Sequence, residues 1–518
     1  MQDKSTKNLL NGAAWLGFSA ILLKIIGLIY KIPMSYLLGD EGMGYFNSAY
    51  TVYTFFYIIG SAGIPKAVSI LCAKSTPGEA KSVFALVFKI YLLIGVGLSL
   101  ILLIFAEYIA KSIGSLNSFY TIFAIAPSVF FVCASGVLRG YLNGKIKFIP
   151  VAVSELISAA SKLFLGLVFA ICAIKKGFSL PLVSAFSILG ITLGSFLGFL
   201  YLYFAYFKES KNIKREYLKN RAILKEVLRI GLPITFAAMI SGIVNIIDLW
   251  VMVNRLKAIG YSESLGMIIY GNYTTLAVPM FSFATNLINT VSVAALPIMT
   301  RAFSTKEYDQ VQKSASSSVK ILSIITVPIF LAFFTFPREI LGSVFEEGSA
   351  TVGFSFLLLL SPGILFYSYL TLFNTILEAK GKIKAAVTSL SIGAVLKCIL
   401  SCIFVGMDEI GPLGAPISTT LSYGVSLLIS LYFYKKYITK TTAIRLPLAR
   451  SISLSFLFGS LSAILATICR KMMLKNLDFR MSSIFSLGFY GVFCVIFGII
   501  PIIIYCKKRL FSAECTTK

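Results

Sequence analysis

Six ionisable residues interrupt the long apolar runs of this chain: Lys24, Lys89, Glu155, Lys162, Asp248 and Lys397. Lys31, Arg139, Arg255 and Glu378 stand nearer the ends of such runs. A charge at the centre of a hydrocarbon layer costs about 2.5–3.5 kcal/mol even on the mildest insertion scale, so such side chains normally face a cavity or a partner. The chemistry on offer is therefore binding. No Gly-Lys-Ser/Thr phosphate loop, kinase motif or hydrolase motif occurs, which argues against an enzyme and against an ATP-driven pump. Histidine is absent, and the nine cysteines form no CxxC, so no catalytic residue, metal or cofactor is assigned.

Depth separates these residues. Lys31, Lys89 and Arg139 lie within about two helical turns of a membrane surface and are read as snorkelling outward. Glu155 and Lys162 are seven apart, hence on one helix face, where function and mere mutual pairing stand even. Lys24, Asp248 and Lys397 are deeper and read as functional. The candidate cavity set is Lys24, Glu155, Lys162, Asp248, Arg255 and Lys397, while Tyr45, Tyr50, Tyr53 and Tyr57 are read as packing or interfacial residues. Cations facing a cavity suit an anionic head group such as a pyrophosphate, whereas a cationic substrate would require carboxylates.

The elements that must carry these residues are membrane spans. The 518 residues are 57% hydrophobic and only 13% charged, about half the charged fraction of a water-soluble domain. Apolar runs of about twenty residues, enough to cross about 30 Å of hydrocarbon, recur from end to end. The composition predicts an all-α integral membrane protein of about 14 transmembrane helices. Spans are placed near 11–37, 44–71, 83–106, 118–142, 148–174, 181–207, 226–254, 268–300, 315–336, 350–378, 385–406, 411–434, 450–470 and 482–506. The first apolar run lacks a small-residue cleavage site and is read as a retained helix. The net charge of +26 sits mostly in short loops, so it reports orientation and not nucleic-acid binding. Alternate loops carry Lys and Arg in a ratio of about three to one, placing both termini in the cytoplasm of a cell membrane; only the last outside loop, between Arg470 and Arg480, reads against this.

Internal echoes point to duplication. Leu142-Asn143-Gly144-Lys145-Ile146-Lys147 follows the fourth span, and Ala379-Lys380-Gly381-Lys382-Ile383-Lys384 follows the tenth; each precedes a helix bearing one lysine, Lys162 or Lys397. Gly42-Met43-Gly44-Tyr45 and Gly266-Met267-Ile268-Ile269-Tyr270 open the second and eighth spans. A shared offset of six spans predicts two pseudo-symmetric six-helix lobes, 1–207 and 230–436, joined by a cytoplasmic linker at 208–229, with two further helices in 437–518. On this reading Lys162 and Lys397 face one cavity.

The residues Lys24-Ile25-Ile26-Gly27-Leu28-Ile29-Tyr30, Leu38-Gly39-Asp40-Glu41-Gly42 and Gly63-Ile64-Pro65-Lys66-Ala67-Val68-Ser69 resemble the stage V sporulation protein B branch of the polysaccharide exporters, within the multidrug/oligosaccharidyl-lipid/polysaccharide superfamily. Leu138-Arg139-Gly140-Tyr141, the 247–256 stretch with Asp248 and Arg255, Ser361-Pro362-Gly363, Gly393-Ala394-Val395-Leu396-Lys397 and Gly414-Ala415-Pro416-Ile417-Ser418-Thr419 extend the likeness over almost the whole chain. The resemblance implies alternating access around a central cavity. It further implies transport of an undecaprenyl-pyrophosphate-linked saccharide, lipid II-like, for peptidoglycan, spore cortex or polysaccharide assembly. Partners would be the lipid-linked oligosaccharide, membrane lipids and cell-wall synthesis proteins, with no nucleic acid. Relatives that flip lipid II usually have arginine where Lys24 stands, and the Gram-negative ones carry an arginine pair where this chain has Phe55-Phe56-Tyr57-Ile58. The alternatives are a multidrug or cation antiporter, which would use Asp248 and Glu155, and a structural membrane scaffold.

The orientation is directly testable. In a cysteine-depleted background Glu41→Cys should react with an impermeant thiol reagent from outside the cell and Arg215→Cys should not; the reverse pattern would invert the topology.

Overall fold

The computed structural model describes residues 2–216, 220–345, 347–439, 446–473 and 478–499; up to residue 28 it describes the surroundings of Ser19, Leu22, Leu23, Ile26 and Gly27 alone. No strand occurs among the described residues. Burial is inverted relative to a protein in water. Ile104 is 72% and Phe164 66% exposed, whereas Ser48, Ser118, Ser128 and Ser154 are fully buried. That pattern suits lipid outside and hydrogen-bonded helix contacts within, and the chain is a multi-pass membrane protein.

Thirteen helices among the described residues are long and apolar enough to cross a bilayer, against about 14 expected. The difference lies at the start. Helix α1 (Gln2–Ser61) runs through both of the first two expected spans and bends between them at Gly39, whose φ of 61° and ψ of −177° exclude a side chain. Compactness divides the chain into 1–271 and 272–518.

In the first unit follow α2 (Gly63–Lys74), α3 (Pro77–Ile104), α4 (Ala106–Ile113), α5 (Phe119–Gly144), α6 (Phe148–Lys175), α7 (Leu180–Ser210), α8 (Asn220–Ala258) and the start of α9 (Glu263–Asn272). Thr76 and Glu79 start α3 with a reciprocal capping box, and Pro77 supplies a preset φ at its first turn. Helix crossings are made of small residues. A Cβ on Gly140 would stand 2.5 Å from Pro65 O, one on Gly144 2.6 Å from Ser69 O, and one on Gly194 2.6 Å from Ser158 O. Gly136, Gly140 and Gly144 thus bring α5 against the end of α1 and α2, and Gly190, Gly194 and Gly198 bring α7 against α6. Gly44 abuts Met267 O while Gly271 abuts Asp40 O, a reciprocal crossing of the second and eighth spans that the Thr51–Tyr270 hydroxyl contact at 2.8 Å continues.

The second unit holds α10 (Val278–Ser304), α11 (Tyr308–Thr335), α12 (Pro337–Gly342), α13 (Glu347–Ala379), α14 (Ile383–Phe404), α15 (Gly414–Tyr434), α16 (Leu448–Met473) and α17 (Phe479–Cys494). α16 and α17 dock on α11 and α12: Tyr490 Oη donates to Pro328 O at 2.7 Å, Arg470 pairs with Glu339, and Arg338 lies 5.1 Å over the Phe479 ring. The basic loop that broke the charge rule is thus tied at one end to a carboxylate.

The repeat is present, in a register shifted from the sequence echo. Ile146 (φ 60°) and Gly381 (φ 78°) are the left-handed residues of the two turns. Lys147 N donates to Leu142 O at 2.9 Å and Lys382 N to Leu377 O at 2.8 Å. Lys145 therefore matches Lys380 and Lys147 matches Lys382, two residues off the Gly-Lys-Ile-Lys alignment. This register still sets Lys162 against Lys397. It also sets Arg139 against Asn374 and Ser158 against Gly393, and a Cβ on Gly393 would meet the Ser426 hydroxyl.

Close approach at the glycines is therefore the expected point of failure. Gly140→Leu should lower the detergent-solubilised protein's stability by roughly 1–3 kcal/mol through overpacking. Gly97→Leu, whose Cβ would have nothing within 4 Å, should not. Thermal unfolding of both variants checks this.

Candidate functional site

The site begins where α1 passes α6. Gly166 leaves room for Tyr30, whose hydroxyl would lie 3.1 Å from a Cβ there. One turn earlier on α6, the Lys162 ammonium sits between two rings, 4.8 Å from the centroid of Tyr30 and 4.7 Å from that of Tyr50. Aromatic faces stabilise a cation electrostatically without neutralising it. Lys162 has no carboxylate in ion-pair range among the described residues, and Lys31 is near enough to feel its charge. Lys31 is thus half-buried beside Lys162 and does not simply snorkel to a surface.

From Tyr50 a file of rings continues along one face of the second span. Tyr50 and Tyr53 are 5.9 Å apart between centroids, and Tyr53 and Tyr57 5.8 Å. Beyond Tyr57 lies a second charged group. Arg139 on α5 pairs with Glu155 on α6 at 3.2 Å and also donates to the Tyr57 hydroxyl. Glu155 and Lys162 do share a face of α6, yet the partner of Glu155 is Arg139. Two buried polar atoms of this strip, Tyr30 Oη and Arg139 Nε, have no hydrogen-bond partner among the described residues. The strip therefore has donor capacity that this arrangement leaves unused.

The other candidates fall elsewhere. The Lys24 side chain lies outside the described residues. Asp248 is half-buried on α8, on the same face as Ser241 and Asn245, which are both exposed. The Ser241 hydroxyl is satisfied within the helix by Ala238 O at 2.8 Å, and Asn245 and Asp248 extend this polar face. Its opposite face carries exposed Leu228, Leu232, Phe236, Ile243 and Trp250 and suits lipid. Arg255 is exposed near the end of α8, where Asn254 donates to Ser112 O and Ile113 O, each at 3.0 Å, and Lys257 to Gly114 O at 3.0 Å. Lys397 is half-buried on α14 of the second unit. Lys89 and Glu378 are exposed.

In place of the Arg139–Glu155 pair the second unit has Asn374, whose Oδ1 accepts from Ser389 at 3.1 Å and Ser430 at 2.8 Å. The Arg139–Glu155 ion pair thus has an amide and two hydroxyls as its counterpart in the second unit. Sequence reading passed over Tyr30 and Tyr50 as ligands of a cation, and over Ser241 and Asn245. The available signals were the i, i+3, i+7 spacing of Tyr50, Tyr53 and Tyr57 and the i, i+4, i+7 spacing of Ser241, Asn245 and Asp248.

A strip with cations at both ends and hydroxyl-bearing rings between them can hold a ligand that combines several anionic oxygens with a ring-stacking or hydroxyl-rich body.

Known proteins share this framework. The sequence profile "Polysaccharide biosynthesis protein" matches residues 9–303, and the MatE profile matches residues 274–403. Stage V sporulation protein B of Bacillus subtilis (strain 168) is 21% identical over 79% of this chain and 80% of its own length. Lipid II flippase MurJ of the same organism is 22% identical over 83% of each chain. A solved structure, "Lipid II flippase MurJ, inward closed conformation", superimposes with a TM-score of 0.72 at 16% identity, covering 93% of this chain and 98% of that one. With more than half its length matched by the first profile, the chain belongs to the polysaccharide biosynthesis protein family.

Proposed function

We propose that this transporter is a flippase that moves a lipid-linked saccharide bearing a pyrophosphate across the cytoplasmic membrane. The observation that carries the reading is Lys162, a cation inside the membrane flanked by tyrosine rings and by no carboxylate among the described residues. Such a charge is stabilised best by a ligand that brings the opposite one. Its neighbours fit the remainder of the ligand, with the Tyr50–Tyr57 file offering ring faces and hydroxyls to sugar and Arg139 offering further donors. The relatedness to a lipid II flippase and to a sporulation protein supports a role in peptidoglycan, spore cortex or polysaccharide assembly.

In this reading Lys24, Arg255 and Lys397 contribute further cations, and Lys162 and Lys397 face a common cavity from the two six-helix lobes that 208–229 joins. Lys24 exchanges Asp248 for substrate pyrophosphate on loading. That exchange lets substrate bias the two access states, since a ligand shifts an equilibrium only through differential affinity. Both termini are cytoplasmic, the chain acts by transport and not catalysis, and cell-wall synthesis proteins are its natural neighbours. Glu155, engaged by Arg139, is a poor ligand for a cationic drug, which weighs against the multidrug alternative.

Two measurements test the proposal. Depletion should leave lipid-linked precursor on the cytoplasmic side; unchanged precursor with altered dye efflux would transfer the assignment to drug export. With protein levels matched, Lys162→Met and Lys24→Met should each lower flipping at least about tenfold, a loss of about 1.4 kcal/mol in transition-state stabilisation, while Lys162→Arg and Lys24→Arg should keep much of it. Wild-type activity in Lys162→Met would remove the cationic site from the mechanism.

A further inference from the structure

The stretch 208–229 carries more charge than joining two lobes requires, and two of its three carboxylates, Glu209 and Glu216, though exposed, are engaged by neighbouring side chains. Glu209 pairs with Lys147 at 3.0 Å. Glu216 accepts from Thr76 Oγ1 at 2.9 Å, its backbone N–H donates to Gly78 O at 3.3 Å, and its carbonyl accepts from Ser82. Lys81 holds the intervening backbone through Ser210 O at 2.9 Å and Ile213 O at 2.8 Å. Left exposed are Lys211, Lys214 and Arg215 and, on the first turns of α8, Arg221, Lys225 and Arg229. None of these six has an ion-pair partner among the described residues. Glu216, held through the Thr76 hydroxyl, and Glu226 are exposed carboxylates of the stretch without such a partner there.

The three α8 cations share their helix face with exposed Leu228, Leu232, Phe236, Ile243 and Trp250. At 1.5 Å per residue, Arg229 and Trp250 are separated by about 30 Å, one hydrocarbon thickness. Trp250 thus marks one interface and Arg229 the other. Arg221 and Lys225 then stand at head-group depth, above a lipid-facing apolar stripe. On α7, exposed Phe204 and Phe207 immediately precede Lys208 and repeat the same order of apolar and basic residues.

We propose that this collar binds anionic phospholipid, with head-group phosphates on Arg221, Lys225 and Arg229 and acyl chains along Leu228, Leu232 and Phe236. Engagement of Glu209 by Lys147 and of Glu216 by Thr76 leaves the exposed cations of the stretch without a carboxylate partner among the described residues. The site depends on the membrane-spanning fold and is independent of the transported substrate.

Purified full-length protein offered mixed micelles of phosphatidylglycerol and phosphatidylcholine should retain the anionic lipid preferentially, as counted by native mass spectrometry. Arg221→Gln/Lys225→Gln/Arg229→Gln should reduce that preference at least about fivefold, as should roughly 0.5 M salt, which shortens the screening length to a few ångström. Lys175→Gln/Lys176→Gln, exposed at the opposite end of α6, should leave it unchanged. An unaltered preference in the triple variant would overturn the proposal, as would an equal loss in the 175/176 variant or equal competition by soluble glycerophosphate. Unfolding in phosphatidylcholine alone verifies that the triple variant is folded, and single Lys225→Gln gives the same comparison should it not be.

Discussion

Everything in this molecule depends on how helices tell one neighbour from another when the solvent is as apolar as they are. Between two leucine-covered helices in hydrocarbon there is no hydrophobic gain, so specificity comes from close backbone approach and from hydrogen bonds. Gly136, Gly140 and Gly144 press α5 against carbonyls of the preceding spans, and Gly190, Gly194 and Gly198 press α7 against α6. Hydroxyls complete the contacts, as where Ser99 donates to Ala126 O at 3.0 Å and Thr192 to Ala124 O at 2.9 Å. These crossings fix the rotation of α6, and that rotation puts Glu155 and Lys162 on the inner face while Phe164 faces lipid.

Once the crossings are set, the charges have few places to go. Arg139 and Glu155 meet across α5 and α6, a partnership in which each offsets part of the other's cost of burial. Among the described residues Lys162 finds tyrosine faces and no carboxylate, with Lys31 near enough to feel its charge. The repeat helices of the second unit kept the geometry and dropped the ion pair, putting Asn374 with two serines where Arg139 and its carboxylate stand in the first.

Much of the fold was legible because hydrocarbon imposes a length on every span, and from residue 77 to 439 the expected spans match the observed helices, overrunning three of them by one or two residues. The Lys162–Lys397 correspondence was legible too, since each lysine is isolated in an apolar run. The turn register was not: the repeated Gly-Lys-Ile-Lys letters are a local coincidence, whereas backbone conformation pairs Ile146 with Gly381. The partner of Glu155 escaped because heptad spacing reports one face of one helix, and Arg139 comes from another. Tyrosines at i, i+3 and i+7 read alike whether they pack against leucine or flank an ammonium, so the surroundings of Lys162 became visible only in three dimensions.

The two copies of the α6–α7 contact differ at the pair of positions where the helices come closest in the first unit. Gly166 and Gly190 touch backbone to backbone in the first unit, and at the matching place in the second Ser401 and Ser418 share a hydrogen bond of 2.6 Å. A bare glycine contact slides with little change in energy over a fraction of an ångström, whereas a hydroxyl pair must break its bond before it moves. Under the same shear the α6–α7 seam is therefore compliant and the α14–α15 seam stiff, a mechanical polarity written by two serines into an otherwise duplicated scaffold.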